Sequence, residues 1–127
     1  MKKIIWVSAH QMQGVQMGAL RRMFGDDVKV EWNRERFSFQ SAENIVAAFR
    51  QGGYDEMIVV APLSVIARIV DLGVKPLWSH AEVVSDPHKA DWSVKNRHYR
   101  FVEFRRVEKL VLEFSNLGPN AVRRDGD

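Results

Sequence analysis

The sequence predicts an α/β domain built on a parallel sheet. Three observations carry this. Four short strand-like runs alternate strictly with three helix-sized amphipathic stretches. Two of the strand runs, Ile4–Val7 and Met57–Ala61, are wholly apolar, as strands buried on both faces must be. Glycine stands at the end of every helical stretch, where a left-handed residue stops a helix most cheaply.

The elements follow in order. Ile4 to Val7 reads as a first strand. Ser8-Ala9-His10-Gln11 leads into a first helix, with Val15, Ala19 and Met23 in one i, i+4 row and Met12, Leu20 and Phe24 beside it. Gly25-Asp26-Asp27 ends it. Val28 to Trp32 alternates apolar and charged residues, which predicts a strand with one polar face, at or near a sheet edge. Arg34 to Gln40 is a connection. Ser41 is a candidate N-cap for a second helix, Ala42 to Gln51, with Ile45, Val46 and Phe49 turned inward. Gly52-Gly53 stops it. Met57 to Ala61 is the central strand. Pro62 falls in the first turn of a third helix bearing Val65, Ile66, Ile69 and Val70, closed by Gly73. Lys75 to Trp78 starts a fourth strand.

The order βαβαβαβ predicts right-handed crossovers with helices on both faces, a Rossmann-like three-layer parallel sheet. Beyond Trp78 the pattern weakens. Glu82 to Asn96 is polar and reads as a loop. Over His98 to Phe114 two patterns compete. Alternation favours two short C-terminal strands forming a β-hairpin, with a break at Arg105–Glu108. Phe104, Val107, Val111 and Phe114 also fit one helical face. Residues 1–115 are expected to form one domain and residues 116–127 a flexible tail.

Composition narrows the function classes. The chain has 127 residues, within the range of a single domain. It has no cysteine, which excludes disulfides, thiol catalysis and thiolate metal sites and fits a cytoplasmic location. No run approaches the roughly 18 apolar residues that span a bilayer, so no membrane association is expected. A net charge of +3 is weak evidence for nucleic acid, which is possible as a partner but not favoured. The first turn lacks G-x-G-x-x-G, and the turn after the third strand has neither glycine cradle nor lysine. Dinucleotide and Walker sites are thereby excluded, and no cofactor is implied.

Ligands of open α/β sheets bind at the carboxyl ends of the strands. There the sequence places Ser8, His10 and Gln11, then Ser64, then Ser79 and His80. Hydroxyl, imidazole and amide groups suit an anion or a base edge; the bland alternative is that they cap helices. His10, His80 and Glu82 are too few for a metal site, and no nucleophile elbow exists. Arg100, with His98, Arg105, Arg106 and interleaved Tyr99 and Phe101, could meet phosphates and bases. The competing interpretation is a solvated strand face neutralised by Glu103, Glu108 and Glu113. Trp92, in a polar stretch, marks a surface that wants covering.

Four stretches also carry a resemblance. They are Trp6-Val7-Ser8-Ala9-His10 before a glutamine-containing helix, Val60-Ala61-Pro62-Leu63, Gly73-Val74-Lys75-Pro76, and His98-Tyr99-Arg100-Phe101-Val102-Glu103-Phe104. Together they resemble a loose group of short Rossmann-like proteins from bacteria and their phages. The layout is similar to small CRISPR-associated Rossmann-fold (CARF-type) proteins. That resemblance implies a homodimer sensing, or in some members cleaving, a cyclic oligoadenylate across its two-fold axis. From the polar residues at the strand ends and the nearby arginines, the expected function is binding of a nucleotide-like or other anionic small ligand by a homodimer. The alternatives are a phosphodiesterase using His10 or His80, and an accessory protein–protein interaction factor of a phage or mobile element.

Overall fold

The structure, a computed structural model, describes residues 1–32, 41–111 and 113–117. The elements are β1 (Lys2–Val7), α1 (Gly14–Phe24), β2 (Val28–Trp32), α2 (Ala42–Gln51), β3 (Glu56–Val59), α3 (Leu63–Asp71), β4 (Leu77–Val84), β5 (Trp92–Val94) and β6 (Arg97–Arg106). The expected connection Arg34–Gln40 and residues 118–127 of the expected tail lie outside the described residues.

The first seven elements stand in the expected order. Ser41 caps α2, its hydroxyl accepting the Asn44 N–H at 3.2 Å. Gly73 follows α3 at φ +94°, a conformation other residues adopt only with strain. Pro62 takes the position just before α3 rather than its first turn. On α1 the buried side is formed by Gln16, Ala19 and Leu20, whereas Val15 and Met23 are exposed. The row chosen from apolar spacing is therefore off by one residue, because Gln16 occupies a core position.

All six strands form one sheet in the order β2-β1-β3-β4-β6-β5. β1 pairs in parallel with β2 and β3, and β3 in parallel with β4. The expected edge position of β2 and central position of β3 both hold. The expected all-parallel sheet does not: β6 runs antiparallel to β4, and β5 antiparallel to β6, so the sheet is mixed. The cause lies after Val84. No helical crossover follows, and a single 3-10 turn at Pro87–Lys89 leads directly into a returning hairpin.

The stretch Glu82–Asn96, expected as a loop, thus supplies the end of β4, the 3-10 turn and all of β5. Lys95 and Asn96 connect β5 to β6 with φ of 49° and 66°, as the two-residue loop of a tight hairpin requires. The hairpin exists, but its strands are β5 and β6. One strand covers Arg97–Arg106, and residues 107–111 and 113–117 form no regular element.

Strand alternation sorts the core into two groups. Ile4, Trp6, Ile58, Leu77, Phe101 and Phe104 pack with Ala19 and Leu20 of α1. Ile5, Val7, Met57 and Val59 face the other way and pack with Ile45 and Val46 of α2 and Ile66 and Ile69 of α3. Each fully buried aliphatic contributes about 1.5–3 kcal/mol. Among the described residues no helix is long and apolar enough to cross a membrane.

Candidate functional site

A cleft forms because neighbouring strands differ in length. β3 ends at Val59 and meets β4 only where Ile58 lies beside Leu77. β4 continues seven residues further, paired to β6. The β4–β6–β5 sheet therefore overhangs the carboxyl ends of β1 and β3. The chain leaves β1 for α1 on one face and β3 for α3 on the other, so these adjacent strands form a topological switch point, where ligands of such sheets bind. The cleft here has a volume of about 260 Å³ and is lined by Trp6, Ser8, His10, Gln11, Gln13, Gln16, Val60, Trp78, Ser79, Ala81, Trp92 and Tyr99.

Its floor is the β1–α1 loop, fixed by side chain to backbone bonds. The buried Ser8 hydroxyl accepts the His10 N–H at 3.1 Å. The Trp6 indole N–H donates to the His10 carbonyl at 2.7 Å, and that of Trp32 to the Ser8 carbonyl at 2.8 Å. Ser8 thus shapes the loop and caps no helix; the residue that precedes α1 is Gln13. Exposed His10 and Gln11 project from this loop at the cleft.

Gln16 joins floor to wall. Its Oε1 accepts the Gln13 N–H at 2.8 Å, and its Nε2 donates to the Ser79 hydroxyl at 3.0 Å. It is only 4% exposed, and both ends of its amide are satisfied, so its burial costs little. On the far wall Trp92 stacks on Tyr99, with ring centroids 6.1 Å apart and planes 19° apart. The pair is cross-strand, Trp92 standing opposite Tyr99. Asp91 anchors it, its carboxylate accepting the Phe101 N–H at 2.7 Å while its own N–H donates to the Tyr99 carbonyl at 2.7 Å. Trp92 is thus a strand residue half-covered by its neighbour, not a loop tryptophan.

Of the seven residues singled out from sequence, Ser8, His10, Gln11 and Ser79 line this cleft. Ser64, His80 and Arg100 do not. Ser64 is exposed on the first turn of α3, across the sheet. His80 follows Ser79 on a strand, so it faces the opposite side, with its ring 5.5 Å from that of Trp78. His10 and His80 are therefore separated by the sheet and form no acid–base pair. Arg100 stands opposite Glu82 and pairs with it. Arg105 lies 3.6 Å from Glu103, and Arg106 forms a bidentate pair with Glu56 at 2.5 and 2.8 Å. Arg100 and Arg106 are thus each held by a carboxylate, Arg105 has only its long contact to Glu103, and Glu108 pairs with Lys75 at 2.9 Å.

Sequence reasoning missed Gln16 and Trp6 as cleft residues, and it named Tyr99 only beside the arginines of its strand, which lie outside the cleft. The usable signal was the glutamine spacing 11, 13, 16, which is unusual ahead of and inside a first helical turn.

The arrangement is aromatic on its walls and neutral-polar at its base. Among the described residues no lysine or arginine lines it, and no group of three His, Asp or Glu side chains could hold a metal ion. It can stack a planar group and hydrogen-bond its edge through amides and hydroxyls.

Elsewhere, a second opening of about 440 Å³ beside β2 is lined by Glu31, Trp32 and Tyr54. The Tyr54 hydroxyl donates to Glu31. That bond pushes the Tyr54 pKa up to about 12 and, first among several causes, lowers that of Glu31. Comparison with protein-family models, curated proteins and solved structures finds no match to this chain.

Proposed function

We propose that this chain is a binding domain for a nucleotide-like small ligand, held through its base in the cleft at the β1–β3 switch point. One observation carries the proposal: a stacked Trp92–Tyr99 pair lines the same cleft as the Gln11 and Gln13 side chains, at the strand ends. Aromatic faces accept any base by stacking, which contributes about 1–3 kcal/mol per base, and amides read its edge. The parallel order β2-β1-β3-β4 agrees with a Rossmann-like ancestry for this half of the sheet. Among the described residues no lysine or arginine stands on the cleft wall, so the proposed recognition rests on the base.

The test is calorimetric titration with nucleosides and their monophosphates. Nucleoside and monophosphate are expected to bind within about threefold of each other, with little salt dependence. Trp92→Ala is expected to weaken both by at least tenfold, from the lost stacking term. No heat and no thermal shift with any nucleoside or nucleotide at millimolar concentration would sink the proposal.

A further inference from the structure

On the face of the sheet opposite α1, the β4–β6 pair lies beyond α3. The chain returns from β4 as a strand, so no helix of the βα series follows to cover this area. What remains is a groove of about 510 Å³ that shares only Trp78 with the lining of the cleft. Leu63 and Ile66 of α3 form one bank, Val107 and Leu110 the other, and the Trp78 side chain lies between. Leu63 is 57% exposed and Trp78 38% exposed, so apolar surface here meets solvent.

The charged residues of the groove are Arg105, Arg106, Glu108 and Lys109. Two of these are committed elsewhere: Arg106 is held by Glu56 and by the Lys75 carbonyl, and Glu108 by Lys75. Arg105 keeps only a long contact of 3.6 Å to Glu103, and both it and Lys109 are exposed. The available charge at the rim is therefore positive.

Volume and charge together argue for one occupant. A small organic ligand fits well, since such sites run from about 300 to 1,000 Å³. We propose that this groove binds a small amphiphilic monoanion, with its alkyl chain between Leu63, Trp78 and Leu110 and its carboxylate on Arg105 and Lys109. The alkyl chain gains by leaving water against apolar walls, and guanidinium and ammonium groups at the rim select the sign of the head group.

The test uses sodium decanoate, below the concentration at which it forms micelles, with the whole chain and calorimetric readout. Saturable one-to-one binding is expected. Decyltrimethylammonium, with the same chain and opposite charge, is expected to bind at least tenfold more weakly. Leu63→Glu changes an exposed residue, and circular dichroism checks that its fold is retained; it is expected to weaken decanoate at least tenfold. Arg105→Glu with Lys109→Glu is expected to reverse the preference between the two amphiphiles. Equal binding of both amphiphiles, or unchanged decanoate affinity in folded Leu63→Glu, overturns the proposal. So does binding to phosphatidylglycerol vesicles without binding to decanoate, which would make this face a membrane contact. Trp92→Ala, which disables the cleft, is expected to leave decanoate binding unchanged, so the two sites succeed or fail separately.

Discussion

Gln16→Met is the perturbation that probes the cleft's construction most directly. Methionine matches glutamine in length and volume, so no large cavity opens at this buried position. What disappears is the pair of bonds at 2.8 and 3.0 Å that tie Gln13 N–H to the Ser79 hydroxyl through one amide. An unpartnered buried polar group costs about 1–3 kcal/mol. Both groups left behind are partly buried, so the lower end applies to each, and the sum is about 2 kcal/mol. For a chain of this size that lowers Tm by roughly 6–10 °C. The assay is chemical denaturation at pH 7, run as a double-mutant cycle with Ser79→Ala. Removing the stranded hydroxyl as well is expected to recover about 1 kcal/mol relative to additivity. A Gln16→Met cost below about 0.5 kcal/mol, within the range of ordinary surface substitutions, would refute the reasoning, as would a cycle with no coupling.

Other consequences are equally direct. Tyr54 is expected to show a tyrosinate absorbance step near pH 12, and Glu31→Gln to move that step down toward the usual value. The signs are opposite for the two partners. The raised tyrosine pKa makes the contact stabilising below about pH 10 and lost as pH rises through about 12; the lowered carboxylate makes it present above about pH 4 and lost on acidification. Replacing Lys95-Asn96 by Asn-Gly is expected to stabilise by about 1 kcal/mol, read from denaturation midpoints, because both positions have positive φ. Asp91→Ala removes the acceptor that holds Phe101 N–H and should loosen the Trp92–Tyr99 stack; tryptophan emission shifted to longer wavelength checks it.

The half of the fold up to Trp78 was legible because its signals are local. Apolar runs, glycine stops and the Ser41 cap each act within a few residues and fall where expected, except that β3 stops at Val59 and leaves Val60 and Ala61 of the expected strand outside it, Val60 being exposed. The second half was not, and one physical feature explains most of it. Along β4, His80 stands opposite Glu103 and Ala81 opposite Phe101, so Val102 is an extra residue on β6. That bulge shifts the phase of the strand. Phe101 and Phe104 both reach the core, three residues apart rather than two, while Val102 is 41% exposed. A spacing of three is the signature of a helix, which is why the residues from His98 onward supported both patterns.

The same feature governs what could be known of the site. Residues adjacent in sequence to a strand end, such as Ser8, His10 and Gln11, are placed by local rules, and all three line the cleft. Tyr99 and Trp92 enter the cleft only because the β5–β6 hairpin folds back along the overhanging part of β4. Neither periodicity nor motif encodes that return. Arg100 and His80 lie outside the cleft for the converse reason. Their residue types suited an anion site, but strand alternation turns them to the other face, where Glu82 takes up the arginine and Trp78 flanks the histidine. The cleft that results is walled by aromatics and based on amides. The face each residue occupies puts aromatics and amides at the cleft and Arg100 away from it, and the proposed base-reading site rests on that placement.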